Sequence, residues 1–171
     1  EKQTYHMAWQ HNKGVFMKKG NKFLEITLCL MMMLLLVGCE NKKVITLDTF
    51  KEKATSNNYI VSDVTSQFKK SKIVKTATTA NNLSKWVIEF YTLKSDSDAE
   101  YMFDYNKNEI TKSKSKNSRE VSNSSGNFTT YSLTDNGYYI YLCKVDDTLL
   151  YTKVKEEYKE EVDKFIQELG Y

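Results

Sequence analysis

The stretch FTTYSLTDNGYYIYLCKV, residues 128–145, decides the fold class. Phe128 to Thr134 and Tyr138 to Val145 are rich in β-branched and aromatic residues. The Asn136-Gly137 pair between them tolerates the positive φ angles of a tight hairpin. Asp146-Asp147 turns the chain again, into a strand over Leu149 to Val154. Three strands joined by such short turns pair antiparallel, because parallel neighbours need a crossover of a dozen or more residues.

A helix follows, from about Glu156 to Leu169, with Tyr158, Val162, Phe165, Ile166 and Leu169 on one stripe and Gly170 as its stop. The earlier part of the chain reads similarly. Thr46 is an N-cap, and Leu47, Phe50 and Ala54 place an apolar stripe on a helix that ends at Asn57-Asn58. Three strands come next: Tyr59 to Val64, Ile73 to Thr79, and Lys85 to Leu93 with Trp86, Ile88 and Phe90 on one face. Ser97-Asp98-Ala99-Glu100 is a capping box opening a helix to about Ile110, with Ala99, Met102, Phe103 and Ile110 on one side. Residues Thr111 to Gly126 are Ser, Lys and Asn with almost nothing apolar, so a mobile loop is expected there. The sum is an α+β fold: an antiparallel sheet of about five to six strands with the helices packed on one face. Its order suggests a duplicated βββα unit.

Residues before this domain carry a targeting signal. From Met17, the bases Lys18, Lys19 and Lys22 precede an unbroken apolar run, Ile26 to Val37. Twelve helical residues reach about 18 Å, short of a hydrocarbon core of about 30 Å, which disfavours a spanning anchor. The run ends in Leu36-Val37-Gly38-Cys39, which resembles the lipobox of bacterial lipoproteins. That resemblance implies a diacylglyceryl thioether on the Cys39 sulfur and cleavage between Gly38 and Cys39. Two acyl chains, at about 0.8 kcal/mol per buried methylene, hold a protein to a membrane where one does not. The organisation that follows is residues 1–16 as upstream sequence or an over-extended start, 17–38 as signal peptide, 39–45 as tether, and 46–171 as a single α+β domain. The expected location is the extracytoplasmic face of the cell membrane. Beyond the lipobox the domain is similar to small uncharacterised lipoproteins of Gram-positive bacteria, a likeness that implies no activity.

Cleavage there would remove much chemistry. His6 and His11, the two histidines of the chain, precede Cys39, and Cys143 is the one further cysteine after it. Ser-His-Asp and Cys-His nucleophiles and His-ligated zinc are then excluded, as is a disulfide within the mature domain. From Cys39 onward the chain holds twenty Lys plus Arg and twenty Asp plus Glu, so it lacks the net positive charge of a nucleic-acid binder.

The remaining candidates are few. Asp96, Asp98 and Glu100, and separately Asp104, Asn106 and Asn108, imitate calcium loops, but Tyr101 and Glu109 stand where each loop needs glycine, so no metal is expected. No cofactor is expected either. Glu89, Glu156 and Glu160 are carboxylates that glycosidase chemistry could use. Cys143 reads as a buried apolar residue. Tyr131, Tyr139, Tyr141 and Tyr151 lie on adjacent strands, with Tyr139, Tyr141 and Cys143 on one face; they are either core or an exposed binding face for an envelope protein or wall polymer. The expectation is a non-catalytic, lipid-anchored binding module. The alternatives are a small wall-polymer-acting enzyme or enzyme inhibitor relying on carboxylates, or a subunit of an envelope complex.

Overall fold

The computed structural model describes residues 41–83 and 85–171. The signal peptide and the lipobox residues Leu36, Val37, Gly38 and Cys39 lie outside them. In chain order the elements are α1 (Leu47–Ser56), β1 (Ile60–Asp63), a 3-10 turn (Thr65–Phe68), β2 (Val74–Asn82), β3 (Trp86–Leu93), α2 (Asp96–Lys112), β4 (Arg119–Ser125), β5 (Phe128–Asp135), β6 (Tyr138–Val145), β7 (Thr148–Lys155), a second 3-10 turn (Glu156–Tyr158) and α3 (Lys159–Leu169). The strands form one antiparallel sheet in the order β1-β2-β3-β7-β6-β5-β4. Two meanders, β1 to β3 and β4 to β7, meet where β3 pairs with β7.

The α+β class and the antiparallel sheet agree with the sequence reading, but the sheet has seven strands rather than five to six. The added strand is β4, which replaces much of the expected mobile loop. It pairs with β5 from Arg119 opposite Thr134 to Ser125 opposite Phe128. The two-residue turn between them starts with Gly126 at φ 53°, the Gly-first order of tight hairpins. All but Ser125 of its side chains are exposed, so β4 carries no apolar alternation to read. Its order comes from backbone hydrogen bonds along a sheet edge, where polar residues also discourage pairing with other chains.

Alternation along the strands separates two cores. One face carries Trp86, Ile88, Phe90, Tyr139, Cys143, Leu150 and Val154, and packs against Phe50 and Ala54 of α1 and Val162, Phe165, Ile166 and Leu169 of α3. Phe50 stacks on Phe90 at 4.8 Å, and Phe165 meets Tyr59 edge-on at 5.0 Å. Each such ring, fully buried, stabilises by about 1.5–3 kcal/mol. The opposite face carries Ala77, Tyr91, Leu93, Tyr131, Leu133, Ile140, Leu142 and Leu149, joined by Ala99 and Phe103 of α2. The expectation of helices on one face thus holds for α1 and α3, while α2 packs its buried side chains against the other. This division also argues against the duplicated unit. An axis relating the antiparallel neighbours β3 and β7 stands perpendicular to the sheet and preserves its faces, yet the helices that follow these two strands lie on opposite faces.

Several boundaries differ in detail: β2 runs on to Asn82, and Glu156–Tyr158, expected as the start of the last helix, form a 3-10 turn before α3. Helix α2 is capped by Ser95, whose Oγ accepts from the Asp98 N–H at 3.1 Å, so it opens two residues before the Ser97 box. The domain also begins before Thr46: Ile45 is buried and Val44 packs against the same core, so the last two residues of the expected tether belong to the domain.

Candidate functional site: an uncovered corner of the sheet

Helix α2 covers its face unevenly. Its first turns hold Lys144 near the end of β6 through Asp96 and Glu100. Further along, Lys107 stands 5.4 Å over the Tyr131 ring on β5, and just past its C-terminus Lys114 pairs with Glu120 on β4. Among the described residues no helix covers the corner formed by β1, the later part of β2, the start of β3, the end of β7 and the start of β6. Ile60, Asn81 and Val87 stand opposite one another in a row across β1, β2 and β3. Ile60 is 52%, Val87 37% and Tyr138 46% exposed. Glu89 faces Tyr151 across β3 and β7, and accepts a hydrogen bond from the Tyr91 hydroxyl. Phe68 meets the Tyr91 ring edge-on at 5.4 Å, and the Lys153 ammonium lies 5.3 Å over the Tyr138 ring. A hollow of about 410 Å³ lined by Asp63, Thr65, Ser66, Phe68 and Lys69 adjoins Phe68.

Burial, and then the hydrogen bond to Glu89, push the Tyr91 hydroxyl above its ordinary pKa. Burial followed by the Glu89 charge does the same to Tyr151. Both phenols therefore stay protonated at neutral pH and supply polar edges to an apolar surface, a composition common where proteins bind partners.

The four tyrosines singled out from sequence do not form one patch. Tyr139 and Tyr141 share a face with Cys143, as alternation required, but it is the face under α1 and α3. There Tyr139 is 4% exposed beneath the Lys159 ammonium, and Tyr141 is half-buried. Tyr131 is fully buried on the α2 face, and Tyr151 is the member that reaches the open corner. The carboxylates are equally dispersed. Glu89 lies on the α2 face, Glu156 pairs with Arg119 at 2.7 Å in the turn before α3, and Glu160 is exposed on α3. Asp96 and Glu100 bind Lys144, and Asp98 accepts from the Ser95 hydroxyl at 2.8 Å. No group of three or more His, Cys, Asp or Glu side chains suited to a metal occurs among the described residues. Nor is any described helix long and apolar enough to cross a membrane. The signal for Val87 and Tyr91 was present in the sequence: they are apolar or aromatic residues on the strand face opposite Trp86, Ile88 and Phe90.

No protein-family model matches the chain, and no curated protein matches it. Among solved structures it is similar to a GTP binding regulator from Thermotoga maritima, at 14% identity and a TM-score of 0.43, over 74% of this chain and 85% of that one.

Proposed function

We propose that this chain is a lipid-anchored lipoprotein of the cell envelope whose domain is a non-catalytic binding module for another envelope protein. The observation that carries the binding reading is this corner, where Ile60, Val87 and Tyr138 are exposed beside Glu89, Tyr151 and Lys153 on a stretch of sheet that no described helix covers. Apolar side chains rimmed by charge are what a protein partner's interface requires. The anchoring reading rests on Leu36-Val37-Gly38-Cys39 and the basic and apolar segments before it. The absence of histidine after Cys39 and the dispersal of Glu89, Glu156 and Glu160 favour binding over catalysis.

Two experiments test the two halves separately. Fatty-acid labelling beside a Cys39→Ala variant is expected to show label that the variant loses; no label in either protein overturns the anchoring. Crosslinking on intact cells is expected to trap a partner that Val87→Asp with Tyr138→Ala releases, while Val121→Asp on the exposed edge strand retains it. Unchanged capture by the corner variant overturns the binding face, and hydrolysis of wall polymer by the purified domain overturns the non-catalytic reading.

A further inference from the structure

Lys42, three residues after Cys39 in the sequence, is clasped to one end of the sheet. The Lys42 N–H donates to Asn127 Oδ1 at 2.9 Å, and Asn127 Nδ2 donates back to the Lys42 carbonyl at 3.0 Å. The same Asn127 amide donates to Asp146 Oδ2 at 2.9 Å, tying the β4–β5 turn to the β6–β7 turn. The Lys42 ammonium lies 5.1 Å over the Phe128 ring and donates to the Gly170 carbonyl at 3.4 Å. Lys42 is therefore fixed where these two turns lie. Cys39 precedes it by three residues, and three extended steps span at most about 11 Å.

We infer that the domain stands on this end of its sheet, with the 125–128 and 146–147 turns at the lipid headgroups and the Val87–Tyr138 corner held away from the membrane. The inference rests on lipidation of Cys39. A free leash over residues 39–45 would average about 15 Å end to end and let the domain turn any face to the surface; the clasp at Lys42 removes that freedom. Strand β7 runs from the Asp146-Asp147 turn to Lys155, which pairs with Tyr138. Eight residues at about 3.4 Å each put Lys155 roughly 27 Å along the strand from Asp147. The surface this end meets is a bilayer of phospholipid headgroups, and the corner is left accessible to a partner in the envelope.

The full chain, purified from bacterial membranes into phosphatidylcholine and phosphatidylglycerol vesicles with a headgroup-borne quencher, provides the test. One fluorophore is placed on Asp147→Cys or on Lys155→Cys. A lipidated Cys39 offers no free thiol and Cys143 is buried, so only the introduced thiol takes the label. Quenching is expected to be several-fold stronger at position 147 than at 155. Adding Asn127→Ala, with folding checked by circular dichroism, is expected to bring the two values together. Equal quenching with Asn127 intact, in protein shown to carry fatty acid, overturns the orientation and leaves the anchor standing. Protein without fatty acid overturns the anchor and the orientation with it.

Discussion

Lys144 and Asp96 form an ion pair at 2.5 Å, with the lysine 8% and the aspartate 65% exposed. Glu100 adds a second carboxylate at 3.0 Å. The pair ties the first turn of α2 to β6 and accounts for two of the acids that imitate a calcium loop. Its energetics are lopsided, because the ammonium is buried and the carboxylates are in water. Asp96→Asn combined with Glu100→Gln leaves the buried charge unpaired and is expected to lower stability by about 2 kcal/mol, below the usual cost of a fully buried pair because water reaches these acids. Lys144→Met removes the buried charge itself and is expected to be close to neutral. Urea denaturation of the two variants measures the contrast; equal losses would refute it.

The domain is expected to be sensitive to alkali. Burial pushes the hydroxyls of Tyr91, Tyr139, Tyr141 and Tyr171 above their ordinary range. A folded pKa above the unfolded one means that the folded state holds more protons as pH rises past about 10, so stability falls with pH there and is fully present below it. Spectrophotometric titration checks this: these phenols should stay protonated at pH 10 and ionise together as the fold is lost. Four phenols titrating at their ordinary pKa in folded protein would contradict the packing.

Cys143 should be inert to thiol reagents in the native state. It is fully buried, and burial pushes its thiol up to about 12, against smaller opposing effects of Lys42 and Tyr141. Only the thiolate is nucleophilic, so modification at pH 8 has to wait for the domain to open. The labelling rate is then expected to follow urea concentration as unfolding does. Rapid stoichiometric modification without denaturant would place Cys143 outside the core.

Local signals were legible in the sequence and long-range ones were not. Thr46 caps α1, Asn136 and Gly137 adopt φ 49° and 76° in their hairpin, and Gly170 ends α3 at φ 92°. Each of these is decided within a few residues of chain. Alternation likewise placed Tyr139, Tyr141 and Cys143 on one face. Which helix covers that face depends on Val162 and Phe165 meeting strands made earlier in the chain, and no local pattern records such a meeting. Ser95 rather than Ser97 caps α2 for a related reason. Both serines precede acids at capping distance, so local spacing does not choose between them, and Ser95 is the one whose Oγ accepts from the Asp98 N–H.

Strand β4 is expected to be ordered but locally weak. Its side chains from Arg119 to Ser124 are exposed, and its single neighbour is β5, so opening it exposes little apolar surface. Strands β6 and β7 are paired on both sides, and from Leu142 to Val145 and Thr148 to Leu150 they are buried on both faces, so the amides there are released only with the whole fold. Hydrogen exchange should therefore show amides of β4 bonded to β5 exchanging orders of magnitude faster than those between β6 and β7, by an opening that is nearly independent of denaturant. Ion pairs of Lys114 with Glu120 and of Arg119 with Glu156 lie near the start of the strand, but exposed pairs contribute at most about 1 kcal/mol and salt weakens them further. Raising ionic strength should thus speed exchange at β4 modestly and leave β6 unchanged. Equal protection across β4 and β6 would mean that the edge strand unfolds only with the domain, and that something beyond its backbone pairing holds it in place.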